Sequence, residues 1–160
     1  MAVILDNKWG ATMLFVRLGF AIAALLSLAT PCFASNEVVM IPIANALNLA
    51  EAQPKLGNTI RFYFGSQTAG RVAQNYGNFV ANPKTNAFNK TTDRACEWAF
   101  LSALISLRDQ AVSVGANAVI NIVSFYDKRE VSSDTAFECH KGFLIAGVAL
   151  RGAIVRLVGR

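Results

Sequence analysis

The sequence predicts an α+β fold, a mainly antiparallel sheet with one long helix packed on one face. Two observations carry this. Residues 92–114 place apolar side chains at helical spacing, whereas residues 59–64 and 117–126 have the alternation or the dense β-branched content of strands. The order of the patterns is strand, short helix, strand, ambiguous strand, long helix, strand, strand, which suits a layered α+β domain without repeats or linkers.

Each element has a local reason. Residues 37–43 (EVVMIPI) are rich in branched side chains, and Pro42 marks an edge position or a strand end. Residues 44–53 (ANALNLAEAQ) are good helix formers, stopped by Pro54 and Gly57. In residues 59–64 (TIRFYF), Ile60, Phe62 and Phe64 fall on one face of a strand. Residues 71–80 fit a bent strand with a bulge at Gly77. Residues 82–93 read as a polar loop from which Phe88 tucks into the core.

Thr92 or Asp93 caps the long helix, and Gly115 closes it. Trp98, Leu101, Ile105 and Val112 form one apolar stripe; Phe100, Leu104, Leu107, Ala111 and Val114 form a second. Such a width predicts burial on two sides, by the sheet and by either the small helix or another subunit. Residues 117–126 predict a central strand buried on both faces, through Val119, Ile120, Ile122 and Val123. Residues 127–137 read as a charged hairpin connection. Residues 142–158 are apolar, but Arg151, Arg156 and the branched residues favour buried strand over membrane span, with a turn or bulge at Arg151-Gly152.

The first 34 residues have the pattern of an export signal. Lys8 and Arg17 precede an uncharged run of 12 residues at 18–29, and Cys32-Phe33-Ala34 supplies small residues for a cut before Ser35. Met13 is an alternative start, and a lipoprotein cut before Cys32 is disfavoured by Pro31. Removal would leave one domain, residues 35–160, whose net charge falls from +5 to +4 with no cluster of Lys or Arg. That is a poor nucleic-acid signature. The location expected is periplasmic or secreted, with no membrane span after signal removal. The remaining pair, Cys96 and Cys139, then reads as a disulfide, because the compartment is oxidising.

Catalytic patterns are thin. The chain has 1 histidine, His140, which reads as an exposed residue at a strand start. Its neighbour Cys139 points to the opposite side of a strand, so the two do not form a nucleophile and base. No Gly-x-Ser-x-Gly elbow and no GxxxxGK[ST] phosphate loop are present, and no cofactor fingerprint. Ser66 after Gly65 reads as a turn residue. Cys96, Glu97, Glu138, Cys139 and His140 supply metal-ligand types, with Cys96, Cys139 and His140 the candidates to keep, but they lack the usual paired spacing.

Resemblances add to this reading. The long helix, its continuation GANAVINIVSF and the two cysteines resemble small α+β domains labelled heavy-metal-binding, which are oligomers. The same stretch, about residues 92–157, resembles the core of the Rcs envelope-stress sensor lipoprotein, which uses disulfides of this type but has a second cysteine pair and a lipobox. Over MIPIANALN, FYFGSQ, KTNAFNK, ACEWAFLSAL, GANAVINI and ECHKGFLIAGVALRG, the chain resembles small exported bacterial proteins often labelled excinuclease ATPase subunit. That label implies excision repair; its phosphate loops and zinc modules have no counterpart here, and the resemblance supplies no catalytic residues. The reading expected is a non-enzymatic periplasmic binding or envelope-sensing domain, with an unknown protein or small ligand as partner and a homo-oligomer as one possible assembly. The alternatives are metal or redox handling through Cys96, Cys139 and His140, and an excision-repair-related protein.

Overall fold

A computed structural model describes residues 36–159. The segment read as an export signal, with Met13, Cys32 and the cut expected before Ser35, lies outside the described residues. The elements are β1 (Glu37–Pro42), α1 (Ile43–Leu47), α2 (Ala52–Leu56), β2 (Arg61–Phe64), β3 (Val72–Ala81), β4 (Lys84–Asn86), α3 (Thr92–Ser113), β5 (Ala118–Ser124), β6 (Ala136–Lys141), β7 (Ile145–Gly147) and β8 (Leu150–Leu157). They form two four-stranded sheets, ordered β1-β6-β7-β4 and β2-β5-β8-β3. The β2–β5 pair is parallel. The other pairs are antiparallel. The α+β class and the long packed helix therefore hold, with the sheet divided in two.

Helix α3 organises the core. Its Phe100, Leu101, Leu104 and Leu107 are buried with Ile122 of β5, Phe137 of β6 and Ile154 of β8. The N-cap is Thr91, not Thr92 or Asp93: its extended backbone lets the side chain accept a hydrogen bond from the Arg94 amide at 3.3 Å. Gly115, at φ +69°, takes the left-handed position after the helix end. The extra apolar width meets α1 and α2. Trp98 lies beneath two cations, the Arg94 guanidinium 5.4 Å and the Lys55 ammonium 5.9 Å from its ring. Val112, predicted within that stripe, stays half exposed.

Several expectations are corrected. The single helix at 44–53 is two short helices, and Pro54 lies inside α2 instead of ending it. It occupies the first turn, where a backbone N–H has no helical acceptor to lose. The loop at 82–93 contains β4, which pairs with β7. Phe88 does not tuck into the core; it is 51% exposed. Residues 127–137 do not close a hairpin, because β5 and β6 belong to different sheets. The break in the last apolar stretch falls at Val148-Ala149, and Arg151-Gly152 lies within β8.

Two bends follow the backbone chemistry. The bulge expected at Gly77 is present: the β3–β8 register shifts between Asn75 and Gly77, and Gly77 has φ +99°. Opposite β8, the register of β5 shifts between Ile120 and Val123, with Asn121 at φ +52°. Gly152 makes this possible. A Cβ there would stand 2.5 Å from Val119 Cγ1 and 3.1 Å from Ile122 Cγ1, so β5 side chains occupy the space a larger residue would need.

Candidate functional site

The alternation of β6 separates its chemistry onto two sides. Phe137 and Cys139 face α3. The Phe137 ring stacks on Phe100 at 4.0 Å between centroids, and Cys139 is joined to Cys96 of α3 by a disulfide with Cα atoms 5.8 Å apart. Both cysteines are fully buried. The bond thus ties the second turn of the long helix to the second strand of its sheet, with the core aromatics beside it.

Glu138 and His140 face the other way, where the segment after β5 covers them. That segment turns sharply at Tyr126–Lys128, with Asp127 and Lys128 at φ +49° and +63°. It is held down by paired backbone hydrogen bonds between Ser124 and Val131, at 3.0 and 2.9 Å. An Arg151–Glu130 ion pair adds to this, and the Arg151 guanidinium lies 4.5 Å from the Phe125 ring. The fold thereby builds a polar cluster that the sequence does not announce. The Glu138 carboxylate accepts from Arg129 at 2.5 Å and meets His140 Nε2 at 2.8 Å. The Glu138 amide donates to Ser124 Oγ at 2.9 Å. The imidazole lies flat on Tyr126, with centroids 3.5 Å apart and planes inclined by 8°.

His140 is therefore not the expected exposed residue at a strand start; it lies within β6 and its side chain is 10% exposed. Burial pushes the Glu138 carboxyl up, but the hydrogen bonds from His140 and Arg129 and their charges outweigh this and hold it below the usual carboxylate range. The arrangement is a carboxylate clamp on an imidazole. It orients the ring, but no hydroxyl or thiol is hydrogen bonded to that ring among the described residues; its other nitrogen, Nδ1, lies 3.5 Å from Asn36 Nδ2. A nucleophile–base pair would need such a contact.

The five metal-ligand candidates are not brought to one point. Cys96 and Cys139 bond to each other and face the core, while His140 and Glu138 lie on the far side of β6. Glu97 is on α3, where burial pushes its carboxyl up against the opposing charge of Arg94, with Asp93 adding to the rise. Among the described residues, no three His, Cys, Asp or Glu side chains form a metal-holding group. Ser124, Tyr126 and Arg129 were invisible to motif reading. The available signal was the Glu138/His140 spacing of two, which puts both on one strand face.

A second constellation forms where β2 ends. Gly65, at φ +54°, brings the chain so close to residues 133–134 that a Cβ would meet Asp134 Oδ1 at 2.2 Å. Asp134 then accepts from the Ser66 amide at 2.6 Å and from Ser66 Oγ at 2.8 Å. These bonds, the backbone one first, hold its carboxyl below the usual range against a small opposing effect of desolvation. Ser66 is thus the turn residue expected. Beside this latch lies an open groove of about 350 Å³, lined by Ile43, Leu47, Phe62, Phe64, Gln67 and Asp134. Its apolar walls carry three polar residues, Gln67, Asp134 and Thr135; the Asp134 carboxylate is taken up by Ser66, and the Gln67 amide accepts from the Phe64 N–H and donates to the Asp134 carbonyl.

Compared with family profiles, curated proteins and solved structures, the chain finds no match. The functional reading rests on the residues and their geometry. Among the described residues, no helix is long and apolar enough to cross a membrane.

Proposed function

We propose that this chain is a non-enzymatic binding or sensing domain of the cell envelope, exported and stapled by one disulfide. The observation that carries the reading is the fully buried Cys96–Cys139 bond. A structural disulfide of this kind suits an oxidising compartment, and the bond leaves neither cysteine as a thiolate for nucleophilic or metal chemistry. The single histidine is clamped between Glu138 and Tyr126, which supports a structural use of that side chain. A small ligand would be sought in the open groove beside Asp134, against the apolar walls of Ile43, Leu47, Phe62 and Phe64.

The test is fractionation of cells expressing the full chain, followed by thiol titration of the purified protein under denaturing, non-reducing conditions. The expected result is periplasmic or extracellular protein in which Cys96 and Cys139 do not react. Recovery in the cytoplasm with both thiols free would overturn the proposal and return the weight to metal, redox or excision-repair readings.

A further inference from the structure

One end of the β1-β6-β7-β4 sheet carries an apolar tip that folding does not use. Phe143, Leu144 and Ile145 are consecutive at the β6–β7 turn, with exposures of 76%, 55% and 53%. Two backbone hydrogen bonds hold the turn: Gly142 donates to the Ile145 carbonyl at 2.8 Å, and Ala87 donates to the Leu144 carbonyl at 2.8 Å. Phe88 joins them from the segment after β4, its ring edge-on to Phe143 at 6.3 Å. Hydrophobic surface of this kind, held out on a tight turn, marks an interaction site more often than a folding residue.

The surroundings state the chemistry of the partner. Two grooves meet at Phe88. One, of about 510 Å³, is bordered by Lys84 with Leu144 and Ile145. The other, of about 310 Å³, is bordered by Lys90 and Lys141 with Phe143, and by one acid, Glu37. Glu37 accepts from Thr92 Oγ1 at 3.2 Å and Lys90 Nζ donates to the Asn86 carbonyl at 2.7 Å; both partners are neutral, so the charges stand as three lysines against one acid. The tip thus projects aromatic and aliphatic side chains from a rim with a net positive charge. Aromatic rings favour the boundary between headgroups and acyl chains, and lysines around them favour anionic headgroups.

We infer that the Phe88/Phe143–Ile145 tip, with Lys84, Lys90 and Lys141, docks this domain on an anionic phospholipid bilayer. The complementarity of three lysines to such a surface selects it over an uncharged apolar partner. The inference rests on the envelope reading and names the surface that the domain would meet there. Docking is peripheral: the tip is short, so the attachment is reversible and depends on salt.

The experiment is flotation of the full chain, purified as cells release it and with its N-terminus defined by mass spectrometry, with phosphatidylglycerol–phosphatidylcholine vesicles. Binding is expected with these vesicles, and at least about tenfold less with phosphatidylcholine alone. Each of Lys84→Gln, Lys90→Gln and Lys141→Gln should weaken partitioning about fivefold, and the triple variant about 100-fold. Phe143→Ser with Leu144→Ser should abolish it; both positions are exposed, and an unchanged unfolding midpoint would show the fold intact. Phe143→Trp should bind and give a blue-shifted difference spectrum against the wild-type chain when vesicles are added.

Absence of binding, or binding unchanged in the serine variant, would overturn the inference. So would vesicle-independent self-association removed by the serine substitutions in sedimentation velocity, which would assign the tip to a second copy. Periplasmic protein with an intact disulfide and no vesicle binding would leave the envelope reading in place and remove this one alone.

Discussion

Reducing the Cys96–Cys139 bond is the most informative perturbation of this fold. Residue separation is 43, so the bond closes a long loop running from the second turn of α3 through β5 to β6. The loop-entropy relation gives about 4 kcal/mol of stabilisation for such a length, at room temperature. Reduction removes no side-chain heavy atom and opens no side-chain-sized cavity; the two sulfur atoms move apart from bonding to van der Waals distance, so the loss reads chiefly the cross-link. Against a typical domain stability of about 5–15 kcal/mol, the reduced protein should remain folded with a much lower urea midpoint. The denatured chain also expands when the loop opens, so the urea m-value should rise on reduction. The assay is equilibrium urea denaturation followed by Trp98 fluorescence and by far-UV circular dichroism, with and without reductant. A loss below about 1 kcal/mol, with an unchanged m-value, would refute the reasoning. It would mean that the aromatic core around Phe100 and Phe137 alone holds α3 against β6.

Two other substitutions test separate parts of the structure. Glu138→Gln should cost about 2 kcal/mol at neutral pH, because it removes the charge from a buried group hydrogen bonded to His140 and Arg129. The folded-state pKa of Glu138 is lowered, so its contribution is complete above the unfolded value of 4.5 and is lost as pH falls through the folded value. The gap between wild type and variant, measured by urea midpoints, should therefore narrow in acid; a constant gap would refute the charge argument. Gly152→Ala should cost about 1–3 kcal/mol by overpacking against Val119 and Ile122, read as a lower thermal midpoint, and a neutral result would mean that β5 shifts freely.

Sequence patterns carried the elements whose burial follows a simple period. The span of α3 apart from its N-cap, its Gly115 stop, the central buried strand β5 and the bulge at Gly77 were legible, because each depends on side chains within a few residues. The polar cluster on β6 was not. Its members come from β5, a left-handed turn at Asp127-Lys128 and β6, and only the crossing between the two sheets lays Tyr126 over His140. Periodicity was also misleading at Phe88: an isolated aromatic in a polar stretch reads as an anchor, yet β4–β7 pairing and the turn at Gly142 direct it outward beside Phe143.

By itself, the sequence determined that a long amphipathic helix would pack on β-structure and that Cys96 and Cys139 were the pair available for a staple. Those features follow from local spacing and from the number of cysteines beyond the segment read as an export signal. Tertiary structure decided that the strands form two sheets, that the staple lies sealed against the core, and that His140 is clamped instead of free. It also decided which apolar residues remain outside. Burial is settled by contacts between segments distant in sequence, so the exposed tip at Phe143 became visible only once β7 was paired with β4 and β6.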